Sequence, residues 1–391
     1  MKIALICPRY GVDAAGGAAI HVEWLAKHLK EDSNFSIEVF TTCARDHFGW
    51  ENHYPPGAEK IEGITVRRFK VDNRNTNTFF RIQNRIIAKE KVSYEDQLIW
   101  AKESVNSSSM YSYIKKNSDS YDYFIFIPYM FGTTINGSKI CPRKSLLIPT
   151  LHDEVYAYLE IFKHMFQEFR GIMFSTPPEK KFGENLYSLD DQKTAIVALG
   201  FEKTKNIPPE RFKNRYDIKD DFCLYAGRRE GGKNTPLLID YFNMYKKYNK
   251  NNLKLVLIGS GDVAIPDNCK DIIDLGYVSI EDKYDAHASA SFLCQPSVNE
   301  SLSITVMESW LAGVPVLVSA ECAVTKFHCR KSNGGLYFSD YFEFEECANF
   351  FLDNPDIRLK MGANGKKYVK ENYSWGKVIE RFKNAIEKFS K

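Results

Sequence analysis

Short apolar runs alternate along this chain with stretches whose apolar positions recur every three or four residues, and the alternation is played through twice. Residues 2–7, KIALIC, read as a mostly buried strand, and 18–29 as an amphipathic helix. Strand-type runs follow at 36–42, 64–71, 123–128, 146–151, 171–175 and 195–199, with a helical, Lys- and Arg-rich segment at 79–117. The segment between 42 and 64, with Trp50, Tyr54, Pro55 and Pro56, reads as a long loop. Residues 200–221 are charged and hold Pro208-Pro209, the composition of a connection between domains. The alternation then restarts. Strands are expected at 222–226 and 253–258, with a helix through Tyr248 and a short one at 281–287, while 272–278 contains LGYV. Residues 338–370 are mostly helical in pattern, and Ser374 is placed to cap a last helix at 375–389.

The stretch 291–319, SFLCQPSVNESLSITVMESWLAGVPVLVS, compresses strand, loop, helix and strand into under thirty residues. Pro296 stops the first strand, Ser301 to Ser303 offer N-cap oxygens, Gly313 and Pro315 end the helix, and 314–318 is the next buried strand. Glu300 precedes this helix and Glu308 lies inside it. At helical rise they stand roughly 12 Å apart, the span from ribose to sugar ring in a nucleotide sugar. The unpaired N–H groups of the helix start favour an anion such as a diphosphate. A solvated helix edge would carry two glutamates at this spacing equally well.

Strands alternating with helices in two series predict an α/β chain with two doubly wound, Rossmann-like domains and an interdomain cleft. At 391 residues the chain suits two domains of nearly equal size. The division expected is 1–205, 206–373 and a C-terminal helix, 374–391, able to cross back to the first domain. A hydrophobic fraction of 44% and a charged fraction of 26% are those of a globular protein, and a net charge of +3 is too mild to argue for nucleic acid. No apolar run reaches the length of a membrane span, and the N-terminus reads as a first strand without a cleavable signal. Nine cysteines without paired spacing point to a reducing cytoplasm. Cys322, His328 and Cys329 match no standard zinc spacing, so no metal is expected there.

Candidate chemistry sits where strands end. Gly16-Gly17 close a loop before the first helix, although a G-x-G-x-x-G dinucleotide fingerprint is absent and a simple tight turn would look the same. The run at 146–151 leads into His152, Asp153 and Glu154, where open α/β sheets bind ligands; His152 could equally cap a helix or fill a core. After the strand 222–226 comes GRREGGKN, in which Arg228 and Lys233 can converge two positive charges on one phosphate pair. The segment 79–91 interleaves Arg81, Arg85 and Lys89 with apolar residues, which fits either a membrane-surface face or a packed helix with a solvated basic side.

The E-x7-E pattern with G-x-P-V behind it, joined to G-R-x4-K, resembles the retaining glycosyltransferases of family 4, group 1, which have the GT-B fold. The resemblance runs along essentially the whole chain, strongly from 222 to 319 and weakly from 46 to 145. It implies that Arg228 and Lys233 bind the donor diphosphate with the amides near Leu302, Ser303 and Ile304. It further implies that Glu300 holds the sugar hydroxyls and Glu308 the ribose, and that the backbone at Tyr277 and Val278 meets the base. Gly16, Gly17 and His152 would face the donor and acceptor, the first domain binding the acceptor. Family members usually carry E-G-F-G where this chain has Glu300-Ser301-Leu302-Ser303, so donor preference can differ. The function implied is transfer of a sugar from a UDP- or GDP-sugar to a glycan or lipid-linked acceptor, in bacterial surface polysaccharide synthesis at the inner face of the membrane. No metal or other cofactor is expected. The alternatives are a nucleotide-sugar epimerase of GT-B fold and a non-catalytic GT-B glycan-binding subunit.

Overall fold

The computed structural model describes residues 1–11, 16–46, 49–202, 208–266 and 269–391. They form two compact units, Met1–Gly200 with Trp375–Lys391, and Phe201–Ser374. The division expected at 205/206 falls within 203–207, outside the described residues, as do 12–15 of the loop before the first helix.

The first unit is built on eight strands: β1 (Lys2–Ile6), β2 (Ser36–Thr42), β3 (Gly57–Ile61), β4 (Ile64–Phe69), β5 (Tyr123–Phe126), β6 (Ser145–Leu147), β7 (Gly171–Phe174) and β8 (Thr194–Ile196). Their order in the sheet is β3-β4-β2-β1-β5-β6-β7-β8. All neighbours are parallel except β3 and β4. Because successive side chains leave a strand on opposite faces, Ala4 and Ile6 enter one core with Phe40, Phe124 and Phe126, while Ile3 and Leu5 enter another with Val39, Ile125 and the first helix. Burial on both faces is why these strands read as unbroken apolar runs.

One difference from the sequence expectation is instructive. The loop expected between 42 and 64 contains β3, which pairs antiparallel with β4 around Glu62-Gly63. Its residues GAEKI are almost wholly exposed, so no apolar period marks it. The final helix, Trp375–Ser390, belongs to the first unit, where Val378, Phe382, Ile386 and Phe389 join the β1 core and Trp375 stacks on His28 at 3.7 Å between ring centres.

The second unit carries β9 (Phe222–Ala226), β10 (Lys254–Ile258), β11 (Ile272–Asp274), β12 (Phe292–Gln295), β13 (Val316–Ser319) and β14 (Gly335–Phe338), all parallel, in the order β11-β10-β9-β12-β13-β14. The strand order therefore reverses between β9 and β12, as it does between β1 and β5 in the first sheet. Such switch points open a crevice at the carboxyl ends of the strands. The charged segment expected to be a connection holds a helix, Glu210–Arg215, which buries Phe212. Its arginines pair with buried acids of the Ile280–Ser289 helix, Arg215 with Asp282 at 2.8 Å and Arg211 with Asp285. Charges that suggest a linker are thus spent on packing one helix against another. The helix Ala323–Ser332 and β14 also occupy a stretch to which the apolar pattern assigned nothing.

Candidate functional site

In the second unit the candidate residues follow the ends of three strands, β9, β11 and β12. The loops after β9, β10 and β11 are laced backbone to backbone: Gly227 N–H donates to Ile258 O at 3.0 Å, Arg229 N–H to Ser260 O at 2.7 Å and Gly259 N–H to Gly276 O at 2.7 Å. Gly259 sits at φ +122°, and a Cβ there would lie 2.0 Å from Gly227 O, so only glycine allows this approach. Tyr225 OH donates to Arg228 O at 2.6 Å and fixes the backbone after β9. The Arg228 side chain pairs with Glu230 at 3.1 Å on the open surface, where such a pair is weak and readily exchanged. Beyond β11, Tyr277 is 84% exposed and Val278 is half-buried.

Lys233 ends a single turn of 3₁₀ helix, Gly231–Lys233, and its Nζ lies 2.9 Å from Glu300 Oε1. Asn234 donates to Pro296 O at 3.2 Å, tying the loop after β9 to the loop after β12 across the switch point. The Lys233–Glu300 pair is mostly screened from water, with side chains 26% and 11% exposed.

The helix after Glu300 begins at Ile304 and ends at Ala312, with Gly313 at φ +84° as its C-cap. Glu300 thus stands outside the helix, and a spacing reckoned on one helical rise does not apply to it. Ser303 is the N-cap residue, but the expected cap hydrogen bond is missing. Its backbone takes the left-handed conformation, φ +67°, and its hydroxyl is buried without a hydrogen-bond partner. That conformation crowds any Cβ. Leu302 is buried beside it.

Glu308 lies inside this helix, 3% exposed, and is no solvated helix edge. Its Oε1 accepts from Lys283 Nζ at 2.5 Å, and His287 Nε2 stands 3.7 Å from Oε2. Burial pushes the carboxyl up, but His287 and Lys283 together outweigh it and hold Glu308 below its ordinary range.

The first unit carries the remaining candidates. Gly16 is the N-cap of the helix Gly17–Lys30 at φ +126°, a conformation that favours glycine. His152 follows β6, with Nδ1 3.5 Å from Glu154 Oε1, and Tyr129 OH donates to the same oxygen at 2.9 Å. Beneath them Glu179, 2% exposed, accepts from Leu151 N–H and Ser175 N–H, each at 2.6 Å, and so staples the loop bearing His152 to the end of β7. Burial pushes its carboxyl up to about 7 against those backbone bonds and the nearby His152.

Residue-type reasoning did not single out Lys283, His287, Tyr129 or Glu179. Only Glu179 left a trace, the Thr176-x-x-Glu179 spacing of a capping box; Thr176 indeed accepts from Glu179 N–H at 3.3 Å. His328 is buried, bonded through Nδ1 to Tyr368 OH at 2.9 Å, and depressed by burial to about 3. Among the described residues no group of three His, Cys, Asp or Glu side chains converges to hold a metal ion, and no helix is long and apolar enough to cross a membrane.

The family model for glycosyl transferases group 1 matches residues 206–368. An uncharacterized glycosyltransferase of Methanocaldococcus jannaschii is 22% identical, the match covering 99% of each chain. Among solved structures, sucrose-phosphate synthase from Thermosynechococcus elongatus superposes with a TM-score of 0.72 at 15% identity over 99% of this chain and 98% of that one. HepE of Anabaena, in complex with UDP and glucose, superposes with a TM-score of 0.71 at 12% identity over 99% of each. The matched domain, the full-length relative and the shared fold together support a group 1 glycosyltransferase with the GT-B fold.

Proposed function

We propose that this chain is a retaining glycosyltransferase that moves a sugar from a UDP- or GDP-sugar to a glycan or lipid-linked acceptor. The observation that carries the reading is the Lys233–Glu300 pair at the switch point of the second sheet, with Arg228 on the same loop. A diphosphate arriving there draws Lys233 and Arg228 to its oxygens and releases Glu300 for the sugar hydroxyls. As the bond from the anomeric carbon to phosphate breaks, negative charge gathers on the leaving oxygen. Arg228, Lys233 and the amides near Leu302, Ser303 and Ile304 meet that charge. The same oxygen takes the acceptor's proton while the acceptor oxygen bonds to the anomeric carbon on the same face, so no separate base is required. By family resemblance, Glu308 takes the ribose, the backbone of Tyr277 and Val278 the base, Gly16 and Gly17 the donor phosphates, and His152 the donor sugar. The complex of HepE with UDP and glucose is in keeping with such a donor. The charges assigned to the phosphates belong to side chains, so no metal is invoked.

The proposed setting is bacterial surface polysaccharide synthesis, at the cytoplasmic face of the membrane. Phe80 and Ile87 of the Thr76–Ile87 helix are exposed, which suits contact with a lipid surface, whereas Arg85 is committed to Asp96 at 2.9 Å. Flotation with anionic vesicles, comparing wild type with Arg81→Glu/Lys89→Glu, tests that contact; equal flotation of the two removes it.

Labelled donor sugars incubated with and without glycan or lipid-linked acceptor test the activity itself. Transfer only when acceptor is present is expected. Conversion of the donor to a new nucleotide sugar without acceptor would instead mark an epimerase, and binding without turnover a non-catalytic subunit.

A further inference from the structure

Glu308 is enclosed by groups whose polar atoms are only partly satisfied. Lys283 takes Oε1, but Oε2 has no hydrogen-bond partner, and neither ring nitrogen of the buried His287 has one. Buried polar atoms are nearly always bonded, and each one left open costs about 1–3 kcal/mol. Two of these atoms, His287 Nε2 and Glu308 Oε2, face each other at 3.7 Å, an ion-pair distance just beyond hydrogen-bond length.

Lys283 and His287 are four apart on the Ile280–Ser289 helix and so project from one face of it. That helix is held independently of Glu308. Ser279 caps it by accepting from Asp282 N–H at 3.1 Å, and Asp282 and Asp285 are paired to Arg215 and Arg211. The lysine and histidine are therefore presented to Glu308 from a fixed frame.

We infer that Lys283 and His287 form a clamp on Glu308, one residue to each carboxylate oxygen, which orients the carboxylate to receive the 2′,3′-diol of a nucleoside ribose. The inference rests on the reading of Glu308 as the ribose contact. An ionised carboxylate offers about four lone-pair sites; the clamp occupies one on each oxygen and leaves one on each for the two hydroxyls of a vicinal diol. Closing the 3.7 Å gap between His287 Nε2 and Oε2 to hydrogen-bond length needs only a small side-chain rotation. A neutral carboxyl would present one acceptor fewer, and burial alone favours the neutral form. The clamp opposes that tendency. Lys283 and His287 are positioning residues, acting on the nucleoside through Glu308.

The test is calorimetric titration of the full chain with UDP, GDP and ADP, followed by the 2′,3′-dideoxy form of whichever binds. Wild type is expected to prefer the diol by about tenfold or more. Lys283→Met and His287→Leu are expected to bind the dideoxy nucleotide as wild type does while losing the preference to within about twofold. Lys283→Arg and His287→Gln, which keep a donor at the same reach, restore it. Where the leucine variant folds poorly by circular dichroism, His287→Asn, too short to reach Oε2, takes its place. Retention of the wild-type preference in the Met and Leu variants, or equal weakening towards both nucleotides, overturns the clamp. Glu308→Gln separates the two levels: if it keeps the diol preference, the ribose reading itself fails, and if it alone loses the preference, only the clamp fails. Failure of wild type to bind any of the three nucleotides overturns both.

Discussion

Lys233 and Glu300 meet at 2.9 Å between the loops that follow β9 and β12, across the point where the second sheet reverses its strand order. Without a donor the two charges neutralise each other in a mostly water-screened place. On the proposed reading each is exchanged for a ligand group, the lysine for phosphate and the glutamate for sugar hydroxyls.

Replacing Glu300 by Gln is expected to lower turnover roughly 100-fold or more, the scale of losing one preorganised polar contact. The fold should survive, because the residue lies in a loop and Lys233 remains partly open to water. Turnover at the wild-type rate, with far-UV circular dichroism unchanged, would remove Glu300 from the mechanism.

Activity is expected to persist in excess EDTA. Arg228→Ala or Lys233→Ala should each cost about 2–4 kcal/mol of transition-state stabilisation, read as kcat/KM. Complete loss in EDTA with rescue by Mn²⁺ would contradict the metal-free account and call for an acidic site near the phosphates.

Ser303 combines a left-handed backbone with a buried, unpartnered hydroxyl. Relief of both, about 1–3 kcal/mol for the hydroxyl alone, should exceed the flexibility that glycine adds to the unfolded chain, about 0.5–1 kcal/mol. Ser303→Gly is thus expected to raise the ligand-free melting temperature by a few degrees. A lower melting temperature would mean that the hydroxyl has a bonding role in the folded chain.

Glu179 sets a pH dependence with a definite sign. Its folded carboxyl titrates at about 7, above its ordinary 4.5, so folding favours the protonated form. The stability it contributes is complete below pH 4.5 and is lost as pH rises through about 7. Relative to Glu179→Gln, the wild type should therefore lose up to about 3 kcal/mol between pH 4.5 and 8. Denaturant melts of the two proteins across that range measure the difference, and a flat difference, or one that grows in favour of wild type, contradicts the assignment.

The fold was legible because its strands are buried on both faces and its helices have an apolar stripe, as in KIALIC and FCLYA. Where that rule lapses, reading failed: β3 is exposed on both faces, and the Glu210–Arg215 helix looks like a linker because its arginines find their acids only in three dimensions. The site shows the same division. Arg228, Lys233 and Glu300 stood out as candidates through their charge, their places after strands and the family resemblance. Ser303 drew attention by residue type, but its left-handed backbone depends on how the chain enters the helix. Lys283 and His287 sit in an ordinary short helix, and Glu179 in an ordinary capping box. Their importance comes from burial against Glu308 and the His152 loop, which no local pattern encodes.

Binding of a nucleotide sugar by the second unit is the central claim, and thermal shift of the full chain against UDP-, GDP- and ADP-sugars tests it most directly. A donor at 100 times its Kd stabilises the folded chain by about 2.7 kcal/mol. At least one donor is therefore expected to raise the melting temperature of wild type by several degrees, and the rise should vanish in Arg228→Ala/Lys233→Ala. No shift with any nucleotide sugar, or a shift of equal size in the double variant, would contradict the account.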